Sequence, residues 1–263
     1  MTLGVVLVAA GAGTRLGSPG PKALVEVAGR SLLAHALAGV AAAGLPPPVV
    51  VHAPGQRDAF VASAGELPVA AWIPGGTSRT DSVRAGVAAL SDTVEVVAVH
   101  DAARPLTPPD VMRATVAAVA GEVLAAAPGL AVADTLKRVT STPSGDAAGR
   151  GAAAAALLGE VVATVDRSAL VGVQTPQVFP RAVLWAALAT ADEATDDLAL
   201  VEQLIARGEL TGRVVVVRGS VWSWKVTTPS DLTLVAALAA ARIDERGAPR
   251  ADGPRDAAHG RDA

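Results

Sequence analysis

Short apolar runs rich in β-branched residues alternate with alanine- and leucine-rich segments of helical length along the first half of the chain. The runs predict strands at Leu3–Val8, Val49–His52, Val69–Ile73, Val94–His100 and Val123–Ala126. The intervening segments predict helices at Ser31–Ala43, Gln56–Ala64, Asp81–Leu90 and Pro109–Ala120. The runs are continuously apolar, as in strands whose two faces are both buried. The pattern therefore predicts an α/β fold with a mainly parallel sheet and helices on both faces.

The alternation stops after Pro128. Asp134–Val139 and Glu160–Asp166 predict two strands, and the Ser, Pro and Gly residues of 141–150 predict a turn between them. We therefore expect a hairpin arm, at about residues 134–168, to project from the domain, although a plain surface hairpin has the same pattern. The pattern then predicts helices at Arg181–Thr190 and Asp196–Ala206, a strand at Arg213–Val217, and a closing helix at Pro229–Ala241 that starts with proline.

Length and composition favour one domain followed by a tail. A chain of 263 residues fits one α/β domain and buries a substantial core. We expect the domain to span residues 1–241. From residue 242 the chain is charged and rich in Gly and Pro, so we expect 242–263 to form a disordered tail, above all Glu245–Ala263.

The net charge of -3 and the pI near 5.8 argue against a general nucleic-acid binder, which needs a strongly basic surface. One bound nucleotide needs only a few local cations. The chain has no cysteine, so disulfides, thiolate metal sites and a cysteine nucleophile are excluded. The N-terminus lacks the cationic start of a signal peptide, and no apolar stretch approaches the ~20 residues of a membrane span. We expect a cytoplasmic protein without a membrane partner.

The first predicted strand leads directly into a glycine loop, Ala9-Ala10-Gly11-Ala12-Gly13. Glycines allow a tight turn and leave amide groups free to approach phosphate oxygens or a base. Leu16 replaces the third glycine of a dinucleotide fingerprint, and no Gly-Lys-Ser/Thr of a Walker loop follows. The loop therefore indicates a phosphate or nucleotide site, with a structural turn as the alternative.

Two cations follow this loop. Arg15 and Lys22 flank a segment rich in Gly and Pro, so both can reach back over one pocket. Negative charge builds on phosphate oxygens during nucleotidyl transfer, and fixed cations there stabilise the transition state more than the ground state. Solvated surface charges are the alternative interpretation.

Two further segments carry candidate ligand-binding residues. Gly76 and Ser82 lie where a turn enters a predicted helix, and free amide groups there can bind a base carbonyl or a phosphate; plain capping by Ser78 is the alternative. Asp101 ends a buried strand at the ligand edge of the sheet, where it could hold Mg²⁺ or a ribose hydroxyl. Arg104 follows at a spacing that reaches the same edge, a dimer neighbour, or simply an ion pair with Asp101.

These motifs form part of an ordered set. After AAGAGTRLGSPGPK at 9–22 come GGTSRTDSVRAG at 75–86, HDAARP at 100–105, DTLKR at 134–138, VQTPQVF at 173–179, TDDLALVE at 195–202 and WKVTTPSDL at 224–232. Together they resemble the 2-C-methyl-D-erythritol 4-phosphate cytidylyltransferase family of the nonmevalonate isoprenoid pathway, over about residues 3–241.

The resemblance implies a single Rossmann-like nucleotidyltransferase domain. Its reaction transfers CMP from CTP to 2-C-methyl-D-erythritol 4-phosphate, with Mg²⁺ as cofactor and pyrophosphate as the second product. Two alternatives stay open. One is another polyol- or sugar-phosphate nucleotidylyltransferase, for example one that uses ribitol 5-phosphate. The other is a non-catalytic nucleotide-binding module on the same fold.

The resemblance also implies roles for individual residues. The glycine loop Ala9–Gly13 and Ala102 contact the nucleotide, and Gly76 and Ser82 contact its cytosine ring. Arg15 and Lys22 are catalytic cations. Asp101 contacts the nucleotide or the polyol phosphate.

For the polyol phosphate, the resemblance implies Arg104, Thr175 and Lys225 as ligands, with Lys225 orienting the attacking phosphate. It further implies that the arm clasps a second subunit of a homodimer. Thr135 and Arg167 then reach the partner's site, where Arg167 also serves catalysis. An arginine suits this task because its planar guanidinium binds phosphate through two hydrogen bonds.

Overall fold

The computed structural model describes residues 1–17, 20–140, 159–190, 194 and 196–247. Its strands are β1 (Leu3–Val8), β2 (Glu26–Val27), β3 (Arg30–Ser31), β4 (Val49–His52), β5 (Ala71–Pro74), β6 (Val96–Asp101), β7 (Val123–Ala131), β8 (Leu136–Val139), β9 (Val161–Val165), β10 (Val171–Val173), β11 (Gln177–Pro180) and β12 (Arg213–Arg218). Its α-helices are α1 (Leu32–Ala42), α2 (Arg57–Ala64), α3 (Arg79–Ala88), α4 (Pro109–Ala118), α5 (Arg181–Leu188), α6 (Asp197–Ala206) and α7 (Pro229–Gly247).

The central sheet is mainly parallel. β5, β4, β1 and β6 form consecutive parallel pairs, and β12 is parallel to β7. β11 lies antiparallel between β6 and β7 and is the strand that joins the two parallel groups. β10 also pairs antiparallel with β7, at its end around Gly129 and Ala131, whereas β11 pairs with it at Ala126. The predicted sheet type is therefore confirmed.

Helices cover both faces of this sheet. Along β1, Val6 packs in a cluster with Val83 of α3 and Leu184 of α5. Val5, which points the opposite way, packs with Val40 of α1 and Met112 of α4. Successive strand residues thus reach different helical layers, which confirms the predicted α/β architecture.

The two predicted strands of the arm are present as β8 and β9. They pair antiparallel with each other, with Leu136 opposite Val165, and form a two-stranded sheet separate from the central one. The predicted turn at 141–150 lies outside the described residues.

Several element boundaries differ from the prediction. β7 continues through Pro128 to Ala131, since the Pro128 carbonyl still accepts a hydrogen bond from the Gln174 amide at 2.7 Å. The short strands β2, β3, β10 and β11 were not predicted, because their two to four residues carry too little periodicity.

The closing helix also ends later than predicted. α7 runs to Gly247, so the predicted end at Ala241 is wrong, and Glu245–Gly247 is helical although it was predicted to be disordered. The sequence RIDER at 242–246 contains no helix breaker, whereas Gly247 and the following Pro249 favour termination. The rest of the predicted tail, 248–263, lies outside the described residues. Within the described part of the chain, no helix combines the length and apolar character that a membrane span requires.

Candidate active site

A cavity of about 410 Å³ opens at the carboxyl ends of β1 and β6, the ligand edge of a parallel sheet. Most of the residues predicted to bind nucleotide line it. They are Ala9, Ala10, Gly11, Ala12, Gly76, Ser82, Asp101 and Ala102. Two predicted catalytic residues, Lys22 and Lys225, line the cavity too. Segments far apart in the sequence therefore share one cavity.

We call this cavity the larger cavity, because a smaller one adjoins it. The glycine loop follows β1 directly and lines the larger cavity. The Ala9 amide donates to the Val51 carbonyl at 2.8 Å, so the chain is still tied to the sheet where the loop begins. Gly11 borders open space. Gly13, by contrast, does not line the cavity: it has a φ of +67°, and a Cβ atom there would lie 2.6 Å from the Cβ of Lys22. Its glycine is required by the turn and by the close approach of Lys22.

The second turn of the larger cavity leads into α3. A Cβ atom at Gly75 would collide with Ala10, and one at Gly76 would collide with Asp81. The Ser82 hydroxyl donates to the Ser78 carbonyl at 2.9 Å and accepts from the Gly76 amide at 3.2 Å. Ser78 also caps the helix, which was the alternative interpretation. The cap holds the start of α3 beside the cavity, and the contact of Gly76 and Ser82 with a base or phosphate stays a prediction.

Asp101 lies at the end of β6 with 6% of its surface exposed. Its Oδ2 contacts Lys225 Nζ at 2.8 Å, and its Oδ1 contacts Arg79 Nη2 at 3.4 Å. Arg79 in turn binds both carboxylate oxygens of the buried Asp197 at 2.9 Å. The result is a chain of alternating charges, Asp197–Arg79–Asp101–Lys225.

This charge chain forms the boundary with a second, smaller cavity of about 220 Å³. Arg79, Asp101 and Lys225 line both cavities. The smaller cavity is completed by Arg104, Val173, Gln174, Thr175, Gln177 and Asp196. Two ligands could therefore meet at this shared wall.

Thr175 and Arg104 are both anchored in the smaller cavity. The Thr175 hydroxyl accepts from the Asp101 amide at 3.1 Å and lies 2.9 Å from His100 Nδ1. Arg104 donates to the carbonyls of Ser223 at 2.8 Å and Val173 at 3.3 Å. The alternative of an Asp101–Arg104 ion pair is wrong, because the salt-bridge partners of Asp101 among the described residues are Arg79 and Lys225.

The buried charges have shifted proton affinities. Burial by itself would raise the pKa of Asp101, but Arg79 and Lys225 outweigh it and hold that pKa well below its usual range. Burial lowers the pKa of Lys22, and the positive charge of Lys225 lowers it further. Burial lowers the pKa of His100 to about 4, so its imidazole is neutral at pH 7. Near neutral pH, Asp101 is therefore a carboxylate that anchors cations.

Three of the predicted catalytic or substrate residues lie outside both cavities. Arg15 is exposed in a short 3₁₀ turn, Thr14–Leu16. Thr135 and Arg167 are exposed at the base of the arm, where Arg167 donates to the Val132 carbonyl. Within a single chain, the structure does not bring these three residues to the cavities.

Sequence reasoning missed two polar residues, Asp197 and Gln177, that support Arg79 of the shared wall. Asp197 binds Arg79, and Gln177 accepts from the amides of Asp197 and Leu198 at 3.0 and 3.2 Å. Gln177 belongs to the motif VQTPQVF and Asp197 to the motif TDDLALVE. In the second motif, Asp197 is the first residue of α6. Their partners lie elsewhere in the sequence, so the motifs alone did not reveal these contacts.

The donor atoms allow a cation that is bound mainly by ligand oxygens. The described residues contain no cluster of three or more His, Cys, Asp or Glu side chains placed to hold a metal. Asp101 is the carboxylate that lines the larger cavity. Mg²⁺ at phosphate sites commonly takes one or two carboxylates together with phosphate oxygens and water. Asp101 thus fits a Mg²⁺ brought in by a nucleotide, and does not fit a site made of protein ligands alone.

Comparisons with family models, with protein sequences and with solved structures identify the same family. A family model described as IspD, 2-C-methyl-D-erythritol 4-phosphate cytidylyltransferase, matches residues 3–241. The cytidylyltransferase of that name from Streptomyces avermitilis is 43% identical over 90% of this chain and 91% of its own length. A crystal structure of the Thermus thermophilus cytidylyltransferase aligns with a TM-score of 0.68 and 33% identity, covering 91% of this chain and all of that one.

A longer relative is also similar. The bifunctional enzyme IspD/IspF from Clavibacter michiganensis is 48% identical over 90% of this chain, which spans 54% of that protein. The predicted resemblance is confirmed: this chain belongs to the 2-C-methyl-D-erythritol 4-phosphate cytidylyltransferase family.

Proposed function

We propose that this chain transfers a cytidylyl group from CTP to 2-C-methyl-D-erythritol 4-phosphate, as a step of isoprenoid precursor synthesis. The observation that carries the proposal is the pair of adjoining cavities with Lys225, Asp101 and Arg79 in their common wall. A transfer reaction needs its donor and acceptor side by side, and this arrangement supplies two places that meet at a charged boundary.

In this proposal the larger cavity holds CTP. The glycine loop contacts the triphosphate, and the turn at Gly76 and Ser82 contacts the cytosine ring. Lys22 and Lys225 supply positive charge beside the α-phosphate. The lining of the cavity supports this assignment, because it combines two glycine-containing turns with two lysines.

The smaller cavity holds the polyol phosphate. Arg104, Thr175 and Lys225 offer it cationic and hydroxyl groups. One oxygen of the polyol phosphate forms a new bond to the α-phosphorus of CTP. The bond between that phosphorus and the oxygen bridging to the β-phosphorus breaks, and pyrophosphate leaves. The attacking phosphate is already ionised near neutral pH, so positioning and electrostatic stabilisation account for most of the acceleration.

A divalent cation is general in nucleotidyltransferases, and we propose Mg²⁺ here. Asp101 is the protein group that would hold it, and the cation would neutralise charge on the triphosphate. Since Asp101 also contacts Lys225 at 2.8 Å, it connects the nucleotide site with the lysine that faces the acceptor.

We further propose a homodimer in which the arm of one subunit reaches the site of the other. Val161 and Val162 are neighbours on β9 and are 63% and 60% exposed, so both faces of the arm present apolar side chains. A two-stranded ribbon alone is marginally stable in water, and cover by a partner would stabilise it. This arrangement also gives Thr135 and Arg167 a site to act on. A cytoplasmic location stays a prediction from the sequence.

Subunit mixing tests the shared site. Subunits carrying Lys22→Ala, which alters the larger cavity of their own chain, and subunits carrying Arg167→Ala are mixed after mild dissociation. Half of the dimers are then mixed, each with one intact site, so activity should recover to about a quarter of wild type. Mixed dimers that form without recovering activity would contradict the proposal.

Pyrophosphate release tests the reaction itself. The purified protein is given CTP, Mg²⁺ and 2-C-methyl-D-erythritol 4-phosphate, with ribitol 5-phosphate and the other nucleoside triphosphates as controls. Release that requires both proposed substrates supports the proposal. Release with another pair would favour a different nucleotidylyltransferase, and CTP binding without release from any acceptor would favour a binding module.

A further inference from the structure

The two lysines of the larger cavity are placed by one short segment, Trp224–Thr228, which we call the lysine loop. Lys225 belongs to it and contacts Asp101 at 2.8 Å. Lys22, more than two hundred residues away in sequence, donates from Nζ to the Val226 carbonyl at 3.0 Å. The lysine loop therefore carries one ammonium group and supplies the acceptor of the other.

The inner side of the lysine loop is attached to the segment after β6. The Val226 amide donates to the Ala103 carbonyl at 2.8 Å, and the Val226 side chain is fully buried. Just before the loop, Arg104 donates to the Ser223 carbonyl at 2.8 Å. These contacts leave the outer side of the loop, with Trp224, Thr227 and Thr228, to be held by something else.

Asp231, in the first turn of α7, holds that outer side. Its Oδ1 accepts from Trp224 Nε1 at 2.8 Å. Its Oδ2 accepts from the Thr227 amide and hydroxyl at 2.8 and 2.7 Å, and from the Thr228 amide and hydroxyl at 2.7 and 2.9 Å. Burial by itself would raise the pKa of Asp231, but these hydrogen bonds outweigh it and keep the pKa far below its usual range. The carboxylate is thus a permanent acceptor.

Helix capping explains only part of this arrangement. A carboxylate in the first turn commonly accepts from the backbone amide of the residue that precedes the helix, here Thr228. Capping does not require the contacts to Thr227 and Trp224. Those two residues lie on either side of Lys225 and Val226, so the carboxylate closes a ring around the two residues that place the lysines.

We propose that Asp231 is a positioning residue for the transfer reaction, which fixes the lysine loop and thereby places Lys225 and Lys22. Asp231 lines neither cavity, so it acts through the two lysines and not on a substrate. The proposal rests on the proposed function insofar as it assigns those lysines to catalysis. The geometric part, that Asp231 fixes both ammonium groups, stands independently.

Lysine labelling tests the geometric part without an activity assay. The chain has three lysines, Lys22, Lys137 and Lys225, and Lys137 lies on the arm. In Asp231→Asn, the amide replaces an acceptor oxygen with a donor among groups that are themselves donors, so the loop should loosen. Acetylation of Lys22 and Lys225, followed by mass spectrometry, should be about 3- to 10-fold faster than in wild type, through local opening of the loop, with Lys137 unchanged.

Two further variants control this experiment. Asp110→Asn makes the same change in the first turn of α4, away from both cavities, and should leave all three rates as in wild type. Trp224→Phe removes only one of the five hydrogen bonds and should give a smaller change in the same direction. Unchanged rates at Lys22 and Lys225 in Asp231→Asn, or an equal rise at all three lysines, would overturn the proposal.

Kinetics test the catalytic part. Asp231→Asn should lower kcat by about 10- to 100-fold and change the KM for CTP by less than about 3-fold, because displaced cations are missed most in the transition state. In a Lys225→Ala background, Asp231→Asn should lower kcat by only about 3-fold further, since its main target is already absent.

A purely structural Asp231 would give a different result. In one case, Asp231→Asn would reduce the folded fraction and leave kcat per folded molecule unchanged. In the other, the fold-change in kcat of the double variant would equal the product of the fold-changes of Asp231→Asn and Lys225→Ala. Either result would overturn the catalytic part. If wild type transferred nothing, the proposed function would fail, while the labelling experiment would still decide whether Asp231 places the lysines.

Discussion

The larger and the smaller cavity are built in different ways. The larger one is shaped by two local turns, the glycine loop Ala9–Gly13 and the turn from Gly76 to Ser82, where main chain approaches the ligand space. The smaller one is walled by side chains such as Arg104, Thr175 and Asp196, which come from separate segments. A cavity made by turns depends on local backbone shape, whereas a cavity made by side chains depends on how distant segments pack.

The two cavities also differ in how firmly their charges are anchored. In the smaller cavity Arg104 donates to two carbonyls, and Arg79 of the shared wall binds both carboxylate oxygens of Asp197. In the larger cavity Lys22 has one carbonyl partner at 3.0 Å, and the glycine loop supplies amides. We therefore expect substitutions to separate into effects on CTP and effects on the acceptor, and the shared wall to affect both.

The largest effect should come from a cation of the larger cavity. Lys22→Ala should lower kcat/KM by about 10²- to 10³-fold, the cost of losing one fixed group that stabilises transition-state charge. The measurement is steady-state pyrophosphate release. Arg57→Ala, which removes an exposed cation at the start of α2 and outside both cavities, is the matched control and should stay within about 2-fold. Equal losses in both variants would mean that charge near the nucleotide has no special role.

Acid should weaken the structure through His100, whose Nδ1 lies 2.9 Å from the Thr175 hydroxyl of the smaller cavity. The folded protein keeps His100 neutral, with a pKa of about 4, while the unfolded chain binds a proton there from about pH 6.5 downward. The stability from the neutral imidazole is therefore full above about pH 6.5 and is lost as pH falls towards 4. The loss amounts to about 3 kcal/mol, since one pKa unit corresponds to about 1.4 kcal/mol.

Urea unfolding of wild type and His100→Asn at several pH values measures this loss of stability. The free energy of unfolding should fall more steeply between pH 6.5 and pH 4 in wild type than in the variant. Parallel pH profiles would show that His100 is not the group responsible.

Substitution of Gly76, which lines the larger cavity, should weaken the binding of CTP. Gly76→Ala places a methyl group against Asp81 and must displace the start of α3. CTP affinity should fall by about 10- to 100-fold, because overpacking commonly costs about 1–3 kcal/mol. Isothermal titration with CTP measures it. Gly172→Ala is the matched control, since its Cβ would meet the Leu130 carbonyl at an ordinary 3.9 Å. Equal losses would contradict the assignment of the turn to the nucleotide.

The smallest effect should come from one hydroxyl of the smaller cavity. Thr175→Val should raise the KM for the polyol phosphate by about 10-fold, the contribution of a hydrogen bond to a charged ligand, and leave CTP affinity unchanged. Thr175→Ser retains the hydroxyl and should behave like wild type. If the KM for CTP rose instead, the assignment of CTP to the larger cavity and of the polyol phosphate to the smaller one would have to be reversed.

Sequence reasoning predicted the larger cavity better than the smaller one, and the reason is physical. The glycine loop and the turn at Gly76 are local, so glycines in a strand–loop–helix context already indicate them. Arg79 and Asp197 were given no site role from the sequence, because their ion pair joins α3 to α6. A side chain's partner across the fold leaves no local pattern.

The sequence by itself determined the α/β architecture, the order of the motifs and the family, because these follow from apolar periodicity and from residues at fixed spacing. Tertiary structure alone decided that Asp101 pairs with Arg79 and Lys225, that Lys22 lies on the carbonyl of Val226, and that one charged wall separates two cavities. These contacts join segments that are distant in the chain, and only the packing of helices on both faces of the sheet brings such segments within a few ångströms.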